Sequence, residues 1–308
     1  MAADVLVLMS TYCGREYIAR QLESIFAQTY DGSIKVLVRD DGSKDDTASL
    51  IEQYPQKENR KIHLVRGGNV GPQRSFLQLI ELADDAKYYF FADQDDVWDE
   101  DKIEIAINKM QPYSHEPVCY CSNYRLSDMD LQVYRESAIG QRPSFTPLRC
   151  IFYNQIPGCA MGFNRALMQL LKRLHLGNVM MHDSMTLALA AFCGKVIYDP
   201  RPRITHRIHK TNVVGDGHKK IVLRKWIAEK AKLLRNKENY DLSEMAEQFL
   251  IVAGAKAPKG YVADMTLLRD YKKSRKNTGR LLRHPDTQGS LKDRTALSIR
   301  SKIRFRLF

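Results

Sequence analysis

Long apolar runs are missing from this 308-residue chain. None approaches the ~20 residues that a bilayer-spanning helix requires. The opening Met1-Ala2-Ala3-Asp4 has neither the basic stretch nor the cleavage site of a signal peptide, which leads to the expectation of a cytoplasmic protein. Cysteine is sparse: Cys13, Cys119, Cys121, Cys150, Cys159 and Cys193 include no C-x-x-C pair. That pattern excludes a disulfide scaffold and reads as reduced, mostly buried thiols. Cys119 and Cys121 alternate along one strand face, a spacing that favours core thiols over metal ligands. Internal repeats and low-complexity segments are absent. Zinc-finger spacing and RNA-binding aromatic motifs are absent too, which speaks against a nucleic-acid partner.

Acidic residues run short in one region only. The formal net charge is +12, yet residues 1–218 hold 25 Lys+Arg against 27 Asp+Glu. Residues 219–308 hold 23 against 9 and carry the whole excess. A nearly neutral body therefore bears a basic C-terminal region suited to an anionic surface.

What is present is an alternation of strand and helix patterns. Strands are expected at 4–10, 34–38, 61–65 and 87–92, with helices at 15–28, 46–53 and 72–82 between them. Asp45 or Asp46 would cap the second helix and Pro72 would open the third. This order implies an α/β fold with a mostly parallel sheet covered by helices on both faces. Farther on, strands are expected at 117–121 and 195–198 and helices at 166–174 and 184–192. Ile156 to Phe163 is apolar with two glycines, as where backbone approaches a ligand closely. A domain boundary is expected near 215–217. It would separate a catalytic domain (1–217) from a basic helical region (218–308) with helices at 219–237, 242–254 and 258–275.

Ligands of such sheets bind outside the carboxyl ends of the strands. Four successive strands end in Ser10-Thr11-Tyr12, Asp40-Asp41-Gly42-Ser43, Gly67-Gly68-Asn69-Val70-Gly71 and Asp93-Gln94-Asp95-Asp96. Three carboxylates within four residues repel one another unless a cation or donors hold them. At a strand end they suit a hard divalent ion that also grips a diphosphate. A solvated acidic turn is the competing interpretation of that tetrapeptide alone.

In this order, these segments resemble the family 2 glycosyltransferases of GT-A fold over residues 4–215, most closely the bacterial rhamnosyltransferases of cell-wall and capsule polysaccharide assembly. The carrying motifs are Ser-Thr-Tyr after the first strand, Arg39-Asp40-Asp41-Gly42-Ser43, Gly68-Asn69-Val70-Gly71 and Phe91-Ala92-Asp93-Gln94-Asp95-Asp96-Val97-Trp98. Gly158-Cys159-Ala160-Met161, His182-Asp183-Ser184, Gly194 to Pro200 and Arg207-Ile208-His209 add to them. The resemblance implies an inverting, metal-dependent transfer of a sugar, rhamnose from dTDP-rhamnose or a hexose from a UDP-sugar, onto a glycan or lipid-linked acceptor. It further implies that Thr11 and Tyr12 line the nucleotide base, Asp41 accepts its N–H and Asp93 sits by the ribose. Asp95 and His209 would hold Mg²⁺ or Mn²⁺, Asp96 would face the sugar or acceptor, and Arg74 and Arg207 would approach the nucleotide and diphosphate. Asp183 would be the general base, although local sequence alone reads it as a helix cap. Trp98 reads as packing rather than as a sugar platform.

Two departures stand out: Cys13 occupies a place where Asn is usual, and His206 to Thr211 replaces a Tyr-Arg-Gln-His-Gly-Asn-like sequence. A sugar nucleotidyltransferase is the different-class alternative, but Ser10 to Arg15 is a poor substitute for its Gly-rich basic loop. A non-catalytic carbohydrate-binding protein conflicts with the full set of carboxylates. For the basic region, peripheral attachment to the inner face of the membrane and an oligomer contact are both open.

Overall fold

The computed structural model describes residues 3–175, 180–208 and 242–287. Strand β1 (Val5–Thr11) lies inside the sheet, and Val5 to Met9 are buried on both of its faces. Such a strand must be apolar throughout rather than alternating. It pairs in parallel with β2 (Ile34–Asp40) and β4 (Tyr88–Ala92), while β2 pairs in parallel with β3 (Arg60–Arg66). Helices α1 (Ile18–Phe26), α2 (Thr47–Glu52) and α3 (Pro72–Leu82) connect them. The expected span of α3 is the observed one. Gly71 precedes it with φ +82°, a conformation L side chains rarely adopt, and Pro72 supplies the first turn. At α2, Asp45 rather than Asp46 does the capping, accepting from the Thr47 N–H at 3.2 Å.

The chain continues through β5 (Val97–Trp98), α4 (Lys102–Met110), β6 (Val118–Ser127), β7 (Val133–Arg135), α5 (Pro147–Phe152) and a 3₁₀ turn at Gly158–Ala160. Then come β8 (Met161–Asn164), α6 (Arg165–Leu171), α7 (His182–Cys193) and β9 (Lys195–Arg207). Among the described residues, the sheet order is β3-β2-β1-β4-β8-β6-β9-β5, with β7 hairpinned on β6. Parallel pairing dominates by length, and β8 runs antiparallel between β4 and β6.

Two strands outrun their sequence patterns. β6 extends from the expected Cys121 to Ser127, and β9 from Tyr198 to Arg207. Pro200 and Pro202 cannot donate to a ladder, which hides the continuation and coincides with the register irregularities opposite Ser122 to Arg125. The extension matters because Thr205 and Ile204 pair with Val97 and Trp98 of β5.

Three further helices are described: α8 (Leu242–Ala253), α9 (Lys259–Asp270) and α10 (Arg275–Arg283). The single helix expected over 258–275 is thus broken, with a 3₁₀ turn at Tyr271–Lys273 and Ser274 capping α10 through the Asn277 N–H. These helices share the core of the sheet body. Phe249 stacks on Phe192 with ring centroids 6.0 Å apart, and the Tyr153 hydroxyl donates to Thr287 O at 2.9 Å. The helix expected at 219–237 and the boundary at 215–217 lie outside the described residues.

Candidate active site

Asp93 to Asp96 bridge the end of β4 and the start of β5, and β5 is stitched to β9. That pairing sets the loop against His206 and Arg207. The Asp96 Oδ1 lies 2.8 Å from His206 Nδ1 and accepts from the Arg207 N–H at 3.2 Å. Arg207 Nε donates to Asp95 O at 2.9 Å, and another guanidinium nitrogen donates to Met129 O at 2.6 Å on the β6–β7 turn. Asp95 and Asp96 are therefore held from β9, and Arg207 is itself braced by the β6–β7 turn.

The electrostatics split the three carboxylates. Burial, then the charges of Asp96 and Asp95, push Asp93 up to about 7. Burial pushes Asp96 the same way, but the His206 charge and its hydrogen bond win and hold it below the ordinary range. Burial pulls His206 down, Asp96 more than offsets this, and the imidazole rises to about 9. His206 and Asp96 thus form a buried ion pair. Its stabilisation is present below the ordinary His value of about 6.5 and is lost as pH rises through about 9.

The other rim loops are locked by side chains. Gln94 accepts from the Tyr12 N–H at 2.9 Å and donates to Tyr12 O at 3.2 Å, so its amide copies one rung of a β-ladder. Thr11 is buried and donates to Asp40, whereas the Tyr12 side chain is exposed on the rim. Asp41 is buried. It accepts from Arg39 at 2.5 Å, the Val70 N–H at 2.9 Å and the Gly71 N–H at 2.8 Å, which pins the glycine-rich loop. Arg39 also reaches Gln78, Ser75 and Gly68 O. Arg74 stands exposed on α3, a residue before Ser75.

Asp183 opens α7, where its carboxylate accepts from the Ser184 N–H at 2.5 Å. Burial raises it to about 6, against that hydrogen bond. Its neighbour His182 is buried between Phe76 (centroids 3.7 Å) and Phe91 (4.5 Å), and neither ring nitrogen has a hydrogen-bond partner. Burial drives its pKa down to about 3, so it is a neutral wedge that seats the start of α7.

The sequence-expected residues thus separate. Asp93, Asp95, Asp96 and Arg207 gather in one cluster, Thr11, Tyr12 and Asp41 line adjoining loops, and His209 lies outside the described residues. Asp96 is 0 % exposed, a setting different from the sugar-facing one that the resemblance implied. Arg207 is likewise buried, with guanidinium nitrogens engaged by Asp95 and Met129 carbonyls. Trp98 is buried as packing: the Lys102 ammonium lies 3.4 Å over its ring and donates to Cys159 O at 2.5 Å. Sequence reasoning gave no role to Arg39, Gln94, Lys102, Cys159 or His206. The signals were faint: Arg39 adjoins Asp40-Asp41, and His206 stands at a noted departure.

A family model described as Glycosyl transferase family 2 matches residues 6–171. The dTDP-rhamnosyl transferase RfbG of Shigella flexneri is 28% identical over 221 residues, covering 67% of this chain and 73% of that protein. S. aureus TarS 1-349 in complex with UDP-GlcNAc shares 17% identity at a TM-score of 0.55, over 94% of this chain and 78% of that one. Mannosyltransferase PcManGT from Pyrobaculum calidifontis, in complex with GDP-Man and Mn²⁺, shares 18% identity at a TM-score of 0.52, over 99% and 81%. The fold is the GT-A fold of those structures.

Proposed function

Since the chain belongs to glycosyl transferase family 2 and is a hexosyltransferase, we propose that it moves rhamnose from dTDP-rhamnose, with inversion, onto a glycan or lipid-linked acceptor of bacterial surface polysaccharide. The donor assignment rests on the similarity to the Shigella flexneri dTDP-rhamnosyl transferase. The reaction type rests on one observation above all: the Asp93–Asp96 loop held between β4 and β5, at the carboxyl end of the parallel strands.

In this proposal Tyr12 and Thr11 border the base, Asp93 meets the ribose, and Arg74 approaches the nucleotide from α3. Asp41 keeps the glycine-rich loop in shape and offers its remaining acceptor capacity to the base. Asp95 is the hard-cation ligand, joined by His209. The fit is chemical: Asp93 is raised partly by the charges of Asp95 and Asp96, so the cluster gains from a neutralising cation with oxygen preference. Mg²⁺ or Mn²⁺ there would offset the charge of the leaving diphosphate. Asp96 and Arg207 act behind the rim, fixing Asp95 through backbone contacts.

Asp183 is the base. The acceptor hydroxyl gives it a proton, the oxygen attacks the anomeric carbon from the opposite face, and the bond to the diphosphate breaks. A carboxylate near pKa 6 is ionised at neutral pH yet basic enough to take the proton. The basic C-terminal region would hold the enzyme at an anionic lipid surface where lipid-linked acceptors reside, read out as salt-sensitive vesicle binding.

The deciding experiment is a panel of nucleotide sugars, each with Mn²⁺ or Mg²⁺, scored by thermal shift of the full chain and by product formation. Stabilisation and turnover with dTDP-rhamnose are expected. A response confined to UDP-sugars would replace the donor, and no response to any nucleotide sugar would overturn the proposal.

A further inference from the structure

Behind the rim carboxylates lies a second donor set, soft rather than hard. His206 Nδ1 is 2.8 Å from Asp96 Oδ1 and 3.9 Å from Cys159 Sγ. The three ligand atoms all lie within 4.8 Å of one another. Around a tetrahedral zinc-like ion, with bonds of about 2.0 Å to nitrogen and oxygen and about 2.3 Å to sulfur, the N–O separation is about 3.3 Å and the N–S separation about 3.6 Å. The observed spacings depart from these by about half an ångström or less, within reach of small side-chain rotations.

A second observation points to a ligand. Asp96 is 0 % exposed, and its Oδ2 has no hydrogen-bond partner beyond the weak donor that the Cys159 thiol offers the carboxylate. Buried polar atoms are nearly always satisfied, so an under-satisfied carboxylate oxygen beside a thiol and an imidazole calls for an occupant. The three residues are also held by separate elements. Asp96 is fixed by the β4–β5 loop and His206 by β9, while Cys159 sits on the 3₁₀ turn tied down by Lys102. Such support from independent elements suits a site held in place before its ion arrives.

We propose that Asp96, Cys159 and His206 bind a thiophilic divalent cation of the zinc class, separate from the hard-cation position at Asp95. Thiol and imidazole donors select against Mg²⁺ and favour zinc or cobalt. On binding, Cys159 gives up its Sγ proton and His206 its Nδ1 proton to solvent, while Asp96 is already ionised. Three metal–ligand bonds form, two protons are released, and no redox change occurs. The ion would tie the 3₁₀ turn to β9 and close the back of the carboxylate cluster.

The site is independent of donor identity and of transfer itself. Its test is titration of the full-length, nucleotide-free protein with Co²⁺, read as thiolate-to-cobalt charge-transfer absorption in the near ultraviolet. One equivalent of absorbing cobalt is expected, displaced by Zn²⁺ but not by equimolar Mn²⁺. Cys159→Ser should abolish the band, and His206→Tyr should weaken cobalt binding at least about tenfold. Circular dichroism checks that each variant is folded. If Cys159→Ser does not fold, His206→Tyr carries the decision. Absence of the band in the natural chain, its persistence in a folded Cys159→Ser, or unchanged cobalt affinity in His206→Tyr overturns the proposal. An oxygen-only site at Asp95 yields no thiolate band, so that failure leaves the transfer reaction untouched.

Discussion

Asp183 shows how one carboxyl acquires a task through its surroundings. A solvent-exposed aspartate would be ionised but weakly basic. Burial at the start of α7 lifts this one to about 6. The ionised form grows as pH rises, so transfer should climb through about pH 6 and level off above it. Asp183→Asn should lower kcat by about 10²–10⁴-fold with little change in thermal midpoint. Steady-state rates across pH on both proteins check this, and near-normal turnover by the Asn variant would remove Asp183 as the base. Cys13 makes the opposite point, since its side chain is set against its backbone. Its φ is +47°, in the left-handed region where asparagine is at ease and most L residues pay a penalty. Asparagine is the residue that the family resemblance leads one to expect there. Cys13→Asn should therefore stabilise the fold by about 0.5 kcal/mol, part of the roughly 1–2 kcal/mol that the left-handed region costs. A raised urea midpoint at constant m-value is the readout.

Among the elements, β9 governs the site more than its sequence pattern announces. Its opening residues Lys195 to Tyr198 read as a strand, while the remainder carries two prolines and three arginines. Tertiary pairing with β6 and β5 overrides the weak local preference and delivers His206 and Arg207 to the carboxylate loop. Gly194 connects α7 to this strand and leaves no room for a side chain, because a Cβ there would meet Pro117 O at 2.0 Å. Backbone cannot yield as a flexible side chain can. Gly194→Ala should cost about 1–3 kcal/mol, as overpacking does. It should also lower kcat by shifting β9, so denaturation and turnover of one variant test both consequences. A change in neither would mean that β9 is not anchored there. The helices of the first half were far easier to read, because α1 buries apolar residues at helical spacing against β5 and α3 does so against β1.

At the scale of the molecule, charge and packing divide the C-terminal region differently. Residues 219–308 carry the basic excess as a block. The described helices α8 to α10 nevertheless put Met245, Phe249, Met265, Leu268 and Leu281 into the core of the sheet body. Truncation after residue 217 would strip that cover from α7 and α5 and should give an aggregating protein. Removal of 290–308 alone touches none of those contacts. It should leave the thermal midpoint within a few degrees while weakening salt-sensitive binding to anionic vesicles, by about 1 kcal/mol per basic residue lost from the surface. Sedimentation with vesicles at low and high salt measures this, and undiminished binding of the shortened chain would assign lipid contact elsewhere or nowhere.

The amino-acid order by itself determined the strand–helix alternation of the first half, the rim loops, the family and the acidic tetrapeptide at the centre of the site. Those are local facts: apolar periodicity, turn residues and short motifs need no distant partner to be recognised. Tertiary structure alone decided which of those carboxylates is paired with an imidazole, which is held through its backbone carbonyl and which is left raised. Asp93, Asp95 and Asp96 differ because β9, starting about a hundred residues later in the chain, brings His206 to one of them and Arg207 to the backbone of another. Burial and long-range charge depend on what folds back against a residue, and no window of sequence contains that information.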